Sequence, residues 1–224
     1  MVRIAPSLLA ADFLNLEAEV RRLAEAGADI LHLDVMDGVF VPNITFGWHL
    51  VAALSRLNGK LGDKRMTLDV HLMMQHPLRY IDHFCKAGAD ILTVHAECSD
   101  PVDECLDAIA KHGVIPGVSV KPDTDVTAVA PFIEKVGYIL VMTVEPGLGG
   151  QELIPSCLEK IPQVRAMAGG RPVMIAVDGG IHRGNCRDVA LAGADILVAG
   201  SAVFAAGDIP ASLAELTRLA NTES

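Results

Sequence analysis

Two short spacings in this chain put an imidazole and a carboxylate two positions apart inside apolar runs: His32-Leu33-Asp34 and Asp69-Val70-His71. His95 and Glu97 repeat the spacing, and Asp178 closes another apolar run just before Gly179-Gly180. Side chains alternate along a strand, so residues two apart share a face. Imidazoles and carboxylates gathered on such faces can bind a divalent cation or move protons, and buried charges are costly unless paired or metal-bound. His32, Asp34, His71 and Asp178 together suit Zn2+, Fe2+, Mn2+ or Co2+, and ligand type alone does not choose among these. A lone histidine closing a strand is more often a hydrogen-bonded core residue, so the joint occurrence carries the metal reading. Asp69 is expected to orient His71 or a neighbour. His95 and Glu97 read as either structural or supporting the site.

Three glycine-rich stretches follow later apolar runs: Pro146-Gly147-Leu148-Gly149-Gly150-Gln151, Asp178-Gly179-Gly180-Ile181 and Gly200-Ser201-Ala202. Each alone could be a tight turn. Together they resemble the late loops of α/β barrels, where backbone N–H groups and a helix N-terminus bind phosphate. The net charge of −10 argues against nucleic acid or an anionic membrane as partner. Backbone dipoles and a metal would let such an acidic chain still hold a phosphate.

The elements that must position these residues announce themselves by a repeated phrase. Ala26-Gly27-Ala28-Asp29-Ile30-Leu31 recurs at 87–92 and 192–197, with a weaker copy, Lys135-Val136-Gly137-Tyr138-Ile139-Leu140. It reads as a helix stop, with Gly at the left-handed position, followed by a strand start. Upstream, helical spacing predicts helices over 16–26, 77–87 and 185–192. Downstream lie short continuous apolar runs of the kind that parallel sheets bury on both faces. Strands are predicted over 4–8, 30–33, 66–72, 91–94, 114–120, 139–144, 173–177 and 196–199, alternating with segments long enough for helices. Eight such units in 224 residues predict one α/β domain over 1–224, a closed (β/α)8 TIM barrel. A doubly wound open sheet would show a Gly-rich fingerprint after its first strand, and Pro6-Ser7-Leu8-Leu9 stands there instead.

No apolar run approaches the roughly 20 residues of a membrane span. The N-terminus lacks a signal-peptide pattern, so a cytoplasmic location is expected. Five scattered cysteines without a C-x-x-C pair are expected to be reduced thiols.

Several of these stretches occur together in one family. Ala5-Pro6-Ser7, the run from Leu31 through His32, Asp34 and Met36 to Gly38, and Val41-Pro42-Asn43-Ile44-Thr45-Phe46-Gly47 resemble ribulose-phosphate 3-epimerases. So do Asp69-Val70-His71-Leu72-Met73, the stretch from Val141 to Gly147, Val177-Asp178-Gly179-Gly180-Ile181 and Gly200-Ser201-Ala202. The resemblance implies a barrel of the ribulose-phosphate-binding type. It implies one divalent metal on His32, Asp34, His71 and Asp178, with Asp34 and Asp178 as the acid/base pair. Substrate contacts would come from Ser7, His71, Gly147, Leu148, Gly149, Gly150, Asp178, Gly179, Gly180, Gly200 and Ser201. Met36, Met73 and Met142 would line the site.

The implied reaction is reversible epimerisation of D-ribulose 5-phosphate to D-xylulose 5-phosphate by a two-base proton transfer through an ene-diolate. The implied partners are a small sugar phosphate and further copies of the chain, as a dimer or hexamer. Leu148 stands where the family usually has Phe, Glu145 is often Asn, and His182-Arg183 is less usual; of these, Leu148 and His182 line loops near the substrate and bear on sugar preference. A six-carbon ketose phosphate such as D-allulose 6-phosphate is the alternative substrate, and a non-catalytic phosphate-binding barrel the alternative class. Related barrel decarboxylases carry Asp-x-Lys-x-x-Asp, and Asp69-Val70-His71-Leu72-Met73-Met74 has no lysine.

Overall fold

The computed structural model describes residues 1–205 and 207–222. Eight strands, β1 Arg3–Pro6, β2 Ile30–Met36, β3 Thr67–Met73, β4 Ile91–His95, β5 Ile115–Val120, β6 Tyr138–Met142, β7 Met174–Asp178 and β8 Ile196–Ala199, form one sheet. Every pairing is parallel, in the order β1-β8-β7-β6-β5-β4-β3-β2. A parallel bridge between Ser7 and His32, just past the end of β1, joins the two outer strands and closes the sheet into the expected (β/α)8 TIM barrel.

The helices are α1 Leu16–Glu25, α2 Trp48–Asn58, α3 Ile81–Ala87, α4 Val102–Ala110, α5 Lys160–Ala168, α6 Cys186–Leu191, α7 Ser201–Phe204 and α8 Ile209–Ala220. The helix expected over 77–87 is split into a 3-10 turn at Pro77–Arg79 and α3. One unit departs further from expectation. The crossover from β5 to β6 is a seven-residue 3-10 helix, Val126–Phe132, with Pro131 inside it; proline lacks the N–H an α-helix would use there. The first strand also stops earlier than its apolar run, because Ser7 accepts from the Leu9 amide and caps a 3-10 turn at Leu8–Ala10.

In the repeated phrase Gly27, Gly88 and Gly193 take φ of +88°, +104° and +108°, the left-handed turn expected of them. Gly137 does not; a Cβ there would stand 2.9 Å from Ile115 Cγ2, so its lack of a side chain is what matters.

Strand alternation divides the core. Leu31, Leu33, Val70, Val94, Val141 and Val177 point outward to the helices. Ile30, Ile91, Tyr138, Leu140, Ala176 and Ile196 fill the barrel interior. His32 and Asp34 alternate with Leu31 and Leu33 and therefore belong to the inward set.

Candidate active site

The register between β2 and β3 sets His32 beside Asp69, Asp34 beside His71 and Met36 beside Met73. Inward-facing rows of a parallel pair thus stack the polar groups in two layers below two methionines. In the lower layer His32 Nδ1 lies 2.6 Å from Asp69 Oδ2, which also accepts from the Tyr138 hydroxyl at 2.7 Å. An ionised carboxylate only accepts, so His32 Nδ1 donates and Nε2 is left facing Asp34. In the upper layer Asp34 Oδ1 is 3.2 Å from both His32 Nε2 and His71 Nδ1. Asp34 Oδ2 accepts from Ser7 Oγ at 2.6 Å. Asp178, at the end of β7, brings its Oδ2 to 3.9 Å from the same two nitrogens.

His32, Asp34, His71 and Asp178 therefore offer four donor atoms within 4.8 Å of one another. Metal–donor bonds of about 2.0–2.2 Å place neighbouring donors roughly 3.0–3.5 Å apart. The 3.2 Å edges to Asp34 fall in this range, the 3.9 Å edges to Asp178 stand a few tenths of an ångström beyond it, and the two-imidazole, two-carboxylate composition fits a divalent transition-metal ion.

The two carboxylates sit in different fields. Burial opposes ionisation of Asp34, but the His32 and His71 rings outweigh it and hold the carboxyl well below the usual range. Burial and the neighbouring Asp34 charge push Asp178 up to about 6. Burial disfavours a charged His32, yet Asp34 and Asp69 together hold the ring well above its ordinary value. Beside them, His95 is fully buried with Nε2 2.8 Å from His71 Nε2 and Nδ1 3.0 Å from Glu97 Oε2. Burial pushes His95 down to about 4. Glu97 resists burial through bonds from His95, Thr124 and the Lys121 amide, which bring it down to about 2.

A cavity of about 660 Å3 opens above the cluster. Its floor is Asp34, Asp178, Met36, Met73 and Met142, and Ser7 stands at one side. Its rim holds the three glycine stretches: Gly147, Leu148, Gly149 and Gly150, then Gly179 and Gly180, then Gly200 and Ser201. At Gly180, with φ +68°, a Cβ would meet the Leu153 backbone N at 2.3 Å. Gln151 Nε2 donates to the Glu145 and Leu148 carbonyls at 2.6 and 2.8 Å, which folds the first stretch over the mouth.

The residues singled out in the sequence thus lie in one place, with a division of position. Asp34 and Asp178 face the cavity, while His32 and His71 are fully buried beneath it and do not line it. Three contributors carry no role in the sequence reading. Asn43 lines the cavity and donates to the Gly147 carbonyl at 2.9 Å, tying two rim loops together. Thr45 donates to the Asp34 carbonyl at 2.6 Å and accepts from the Met36 amide at 3.0 Å. Both belong to the Val41–Gly47 motif, which was a usable signal. Tyr138 stands where the other copies of the repeated phrase have Asp, and that difference was its signal.

Fold and site together define a (β/α)8 barrel whose carboxyl-end mouth carries a buried His2Asp2 donor set beside glycine-rich loops. The model of the Ribulose-phosphate 3 epimerase family matches residues 3–204, and this chain belongs to that family. It is 43% identical over 219 residues to ribulose-phosphate 3-epimerase of Bacillus subtilis, covering 96% of this chain and 98% of the relative. The Schizosaccharomyces pombe ribulose-phosphate 3-epimerase is 43% identical over 90% of this chain and 86% of its own length. The cytoplasmic isoform from Oryza sativa is 43% identical over 92% of this chain and 89% of its own length. Among solved structures, 3-hexulose-6-phosphate synthase from Salmonella typhimurium superposes with TM-score 0.71 at 21% identity, covering 98% of both chains. Orotidine 5'-phosphate decarboxylase from Pyrococcus horikoshii gives 0.69 at 15%, covering 98% of this chain and 100% of its own; these two share the fold. No helix among the described residues is long and apolar enough to cross a membrane.

Proposed function

We propose that this chain, an epimerase of the isomerase class by its family, interconverts D-ribulose 5-phosphate and D-xylulose 5-phosphate by inverting carbon 3. The observation that carries the reading is the pair Asp34 and Asp178. Both flank the same two imidazole nitrogens, and they stand on β2 and β7, three strands apart around the barrel through β1 and β8. Inversion at a carbon next to a carbonyl needs one group to take a proton and another to return it to the opposite face. Carboxylates whose surroundings drive their pKa values apart suit those two duties. Asp34, held ionised, takes the carbon-3 proton of D-ribulose 5-phosphate through the oxygen that Ser7 orients. Asp178, which holds a proton more readily, returns one from the other side; in reverse the duties exchange.

His32, Asp34, His71 and Asp178 would hold one divalent ion, which supplies positive charge against the negative charge growing on the substrate's oxygens. The donor set suits Zn, Fe, Mn or Co. The phosphate lies among the backbone N–H groups of Gly179, Gly180, Gly200 and Ser201, with Gly147, Leu148, Gly149 and Gly150 covering the sugar. Met36, Met73 and Met142 form an apolar floor that keeps bulk water from the intermediate. We further propose that residues 1–224 act as one barrel domain, in the cytoplasm, as a homo-oligomer; buried free thiols at Cys85, Cys105, Cys157 and Cys186 support a reducing compartment.

The test is turnover of D-ribulose 5-phosphate in deuterated water with metal-loaded protein, followed by NMR. Deuterium at carbon 3 of the D-xylulose 5-phosphate formed is the expected result. No exchange at carbon 3 overturns the proposal, and faster turnover of D-allulose 6-phosphate moves the substrate to the six-carbon series.

A further inference from the structure

His95, fully buried, and Glu97, partly buried, are a polar pair that the proton-transfer scheme leaves unused. His95 closes β4, and its ring lies between His71 and Glu97, with 2.8 Å from Nε2 to His71 Nε2 and 3.0 Å from Nδ1 to Glu97 Oε2. Two ring nitrogens at hydrogen-bond distance share one proton, so one ring donates and the other accepts. Glu97 decides which. A carboxylate accepts only, so His95 Nδ1 carries a hydrogen, and the neutral ring then has its lone pair on Nε2. His71 must donate from Nε2, so its Nδ1 is the nitrogen left to take a cation, whether a proton or a metal ion. That nitrogen is the one 3.2 Å from Asp34 Oδ1 and 3.9 Å from Asp178 Oδ2. A lone pair facing two carboxylates is repulsive unless a cation lies between them.

The relay is anchored at its outer end. Glu97 Oε1 accepts from the Lys121 amide at 2.8 Å. Lys160 Nζ holds the loop after β5 through the carbonyls of Lys121, Pro122 and Thr124 at 2.9, 2.6 and 2.7 Å. The Phe40 ring covers His95 at 4.7 Å between centroids, and Lys121 Nζ lies 3.9 Å over Phe40. His95 therefore has little freedom to turn. His32 is fixed differently, by the direct bond to Asp69, and presents Nε2 where His71 presents Nδ1.

We propose that His95 and Glu97 are positioning residues that fix the tautomer and ring orientation of His71, and through it the metal affinity of the site. This rests on the metal reading of the preceding section. Outer hydrogen-bond partners of metal-bound histidines are typically worth about 10- to 100-fold in affinity. Glu97→Gln retains the shape but offers one oxygen where the carboxylate's two accept from His95, Thr124 and the Lys121 amide. His95→Leu leaves His71 Nε2–H without an acceptor, while His95→Gln can accept from His71 through its amide oxygen and donate to Glu97.

The experiment has two readouts on purified protein. Imidazole 15N NMR of the metal-free chain is expected to show His71 protonated at Nε2 and His95 at Nδ1 in the wild type, with the His95 proton redistributed between its nitrogens in Glu97→Gln. Competition of Co2+ and Zn2+ against a chromogenic chelator is expected to show binding about 10- to 100-fold weaker in Glu97→Gln and His95→Leu, with partial recovery in His95→Gln. A His71 Nε2 without a proton in the wild type overturns the relay. So does metal affinity unchanged in Glu97→Gln, whose fold circular dichroism checks. If the wild type binds neither ion while His71 shows the expected tautomer, the metal reading falls, and with it the claimed effect on affinity.

Discussion

Ser7 donates its hydroxyl hydrogen to Asp34 Oδ2 at 2.6 Å, across the seam where the Ser7–His32 bridge closes the barrel. The other oxygen, Asp34 Oδ1, faces His32 and His71, each at 3.2 Å. The two oxygens of one carboxylate thus have different surroundings, one toward the donor cluster and one toward Ser7. Ser7→Ala removes this bond and the cap on the Leu9 amide, while the turn keeps its backbone bonds from Ala10 N to Ser7 O and from Ala11 N to Leu8 O. Turnover is expected to fall roughly tenfold, the scale of about 1–1.5 kcal/mol for one hydrogen bond, with metal content unchanged. A coupled assay on D-ribulose 5-phosphate with parallel metal analysis checks both halves.

Asp178→Asn keeps the side-chain shape and removes the second proton carrier. Loss of a positioned acid/base group costs about 10^2- to 10^4-fold, and an obligatory second base belongs at the upper end. Near-normal epimerisation by this variant, measured at saturating metal, would exclude the two-base scheme.

The metal-free site should also show Asp178 in its pH dependence. Burial and the Asp34 charge raise Asp178 to about 6, so below that pH it carries a proton that a bound cation must displace. Apparent metal affinity should therefore weaken as pH falls through about 6. The slope of log Kd against pH should be steeper in the wild type than in Asp178→Asn by up to one proton. Identical slopes between pH 5 and 7 would assign the proton elsewhere, to His32 for example, which is also held protonated in the absence of metal.

Much of this arrangement was legible because period-two alternation is strict in buried strands. His32 with Asp34, and Asp69 with His71, share faces by spacing alone, and the repeated Ala-Gly-Ala-Asp phrase marks the starts of β2, β4 and β8. Spacing within a strand says nothing about register between strands, so the facing of Asp34 to His71 and His32 to Asp69 waited for the structure. The same gap hid the contact between His71 and His95, which depends on how β3 and β4 are offset. Strand ends were less legible where polar caps intervene, as Ser7 does after β1. The 3-10 crossover before β6 was hidden because segment length alone does not separate it from an α-helix, although Pro131 was visible.

Lys160 makes an unusual bargain at the start of α5. A cation in the first turn opposes the helix dipole by about 0.3–1 kcal/mol. Its Nζ donates to three carbonyls of the β5 loop at 2.6–2.9 Å, and hydrogen bonds to a charged group contribute about 1.5–3 kcal/mol each. The bonds outweigh the dipole. Lys160→Met is expected to destabilise the chain by about 2–3 kcal/mol in urea unfolding, the scale of a single charged hydrogen bond since water recovers the rest. A stability change below about 0.5 kcal/mol, the range of ordinary surface substitutions, would show that solvent replaces those bonds freely.

The last prediction separates two reasons for glycine on the rim. Gly150 and Gly180 both take left-handed backbone conformations, with φ of +76° and +68°. A Cβ at Gly150 meets nothing within 4 Å, whereas one at Gly180 falls 2.3 Å from the Leu153 backbone N. Alanine at Gly150 therefore pays only the left-handed penalty of about 1–2 kcal/mol. Alanine at Gly180 pays that and must also displace backbone, which moves the amides proposed to hold the phosphate. Gly180→Ala should raise KM for D-ribulose 5-phosphate by at least about tenfold, or 1.4 kcal/mol of binding, with metal content retained. Gly150→Ala should leave KM within about threefold while lowering the unfolding midpoint modestly. Equal KM values for the two variants would mean that the close approach to Leu153 does not hold the phosphate loop in place, and that φ alone explains glycine at both positions.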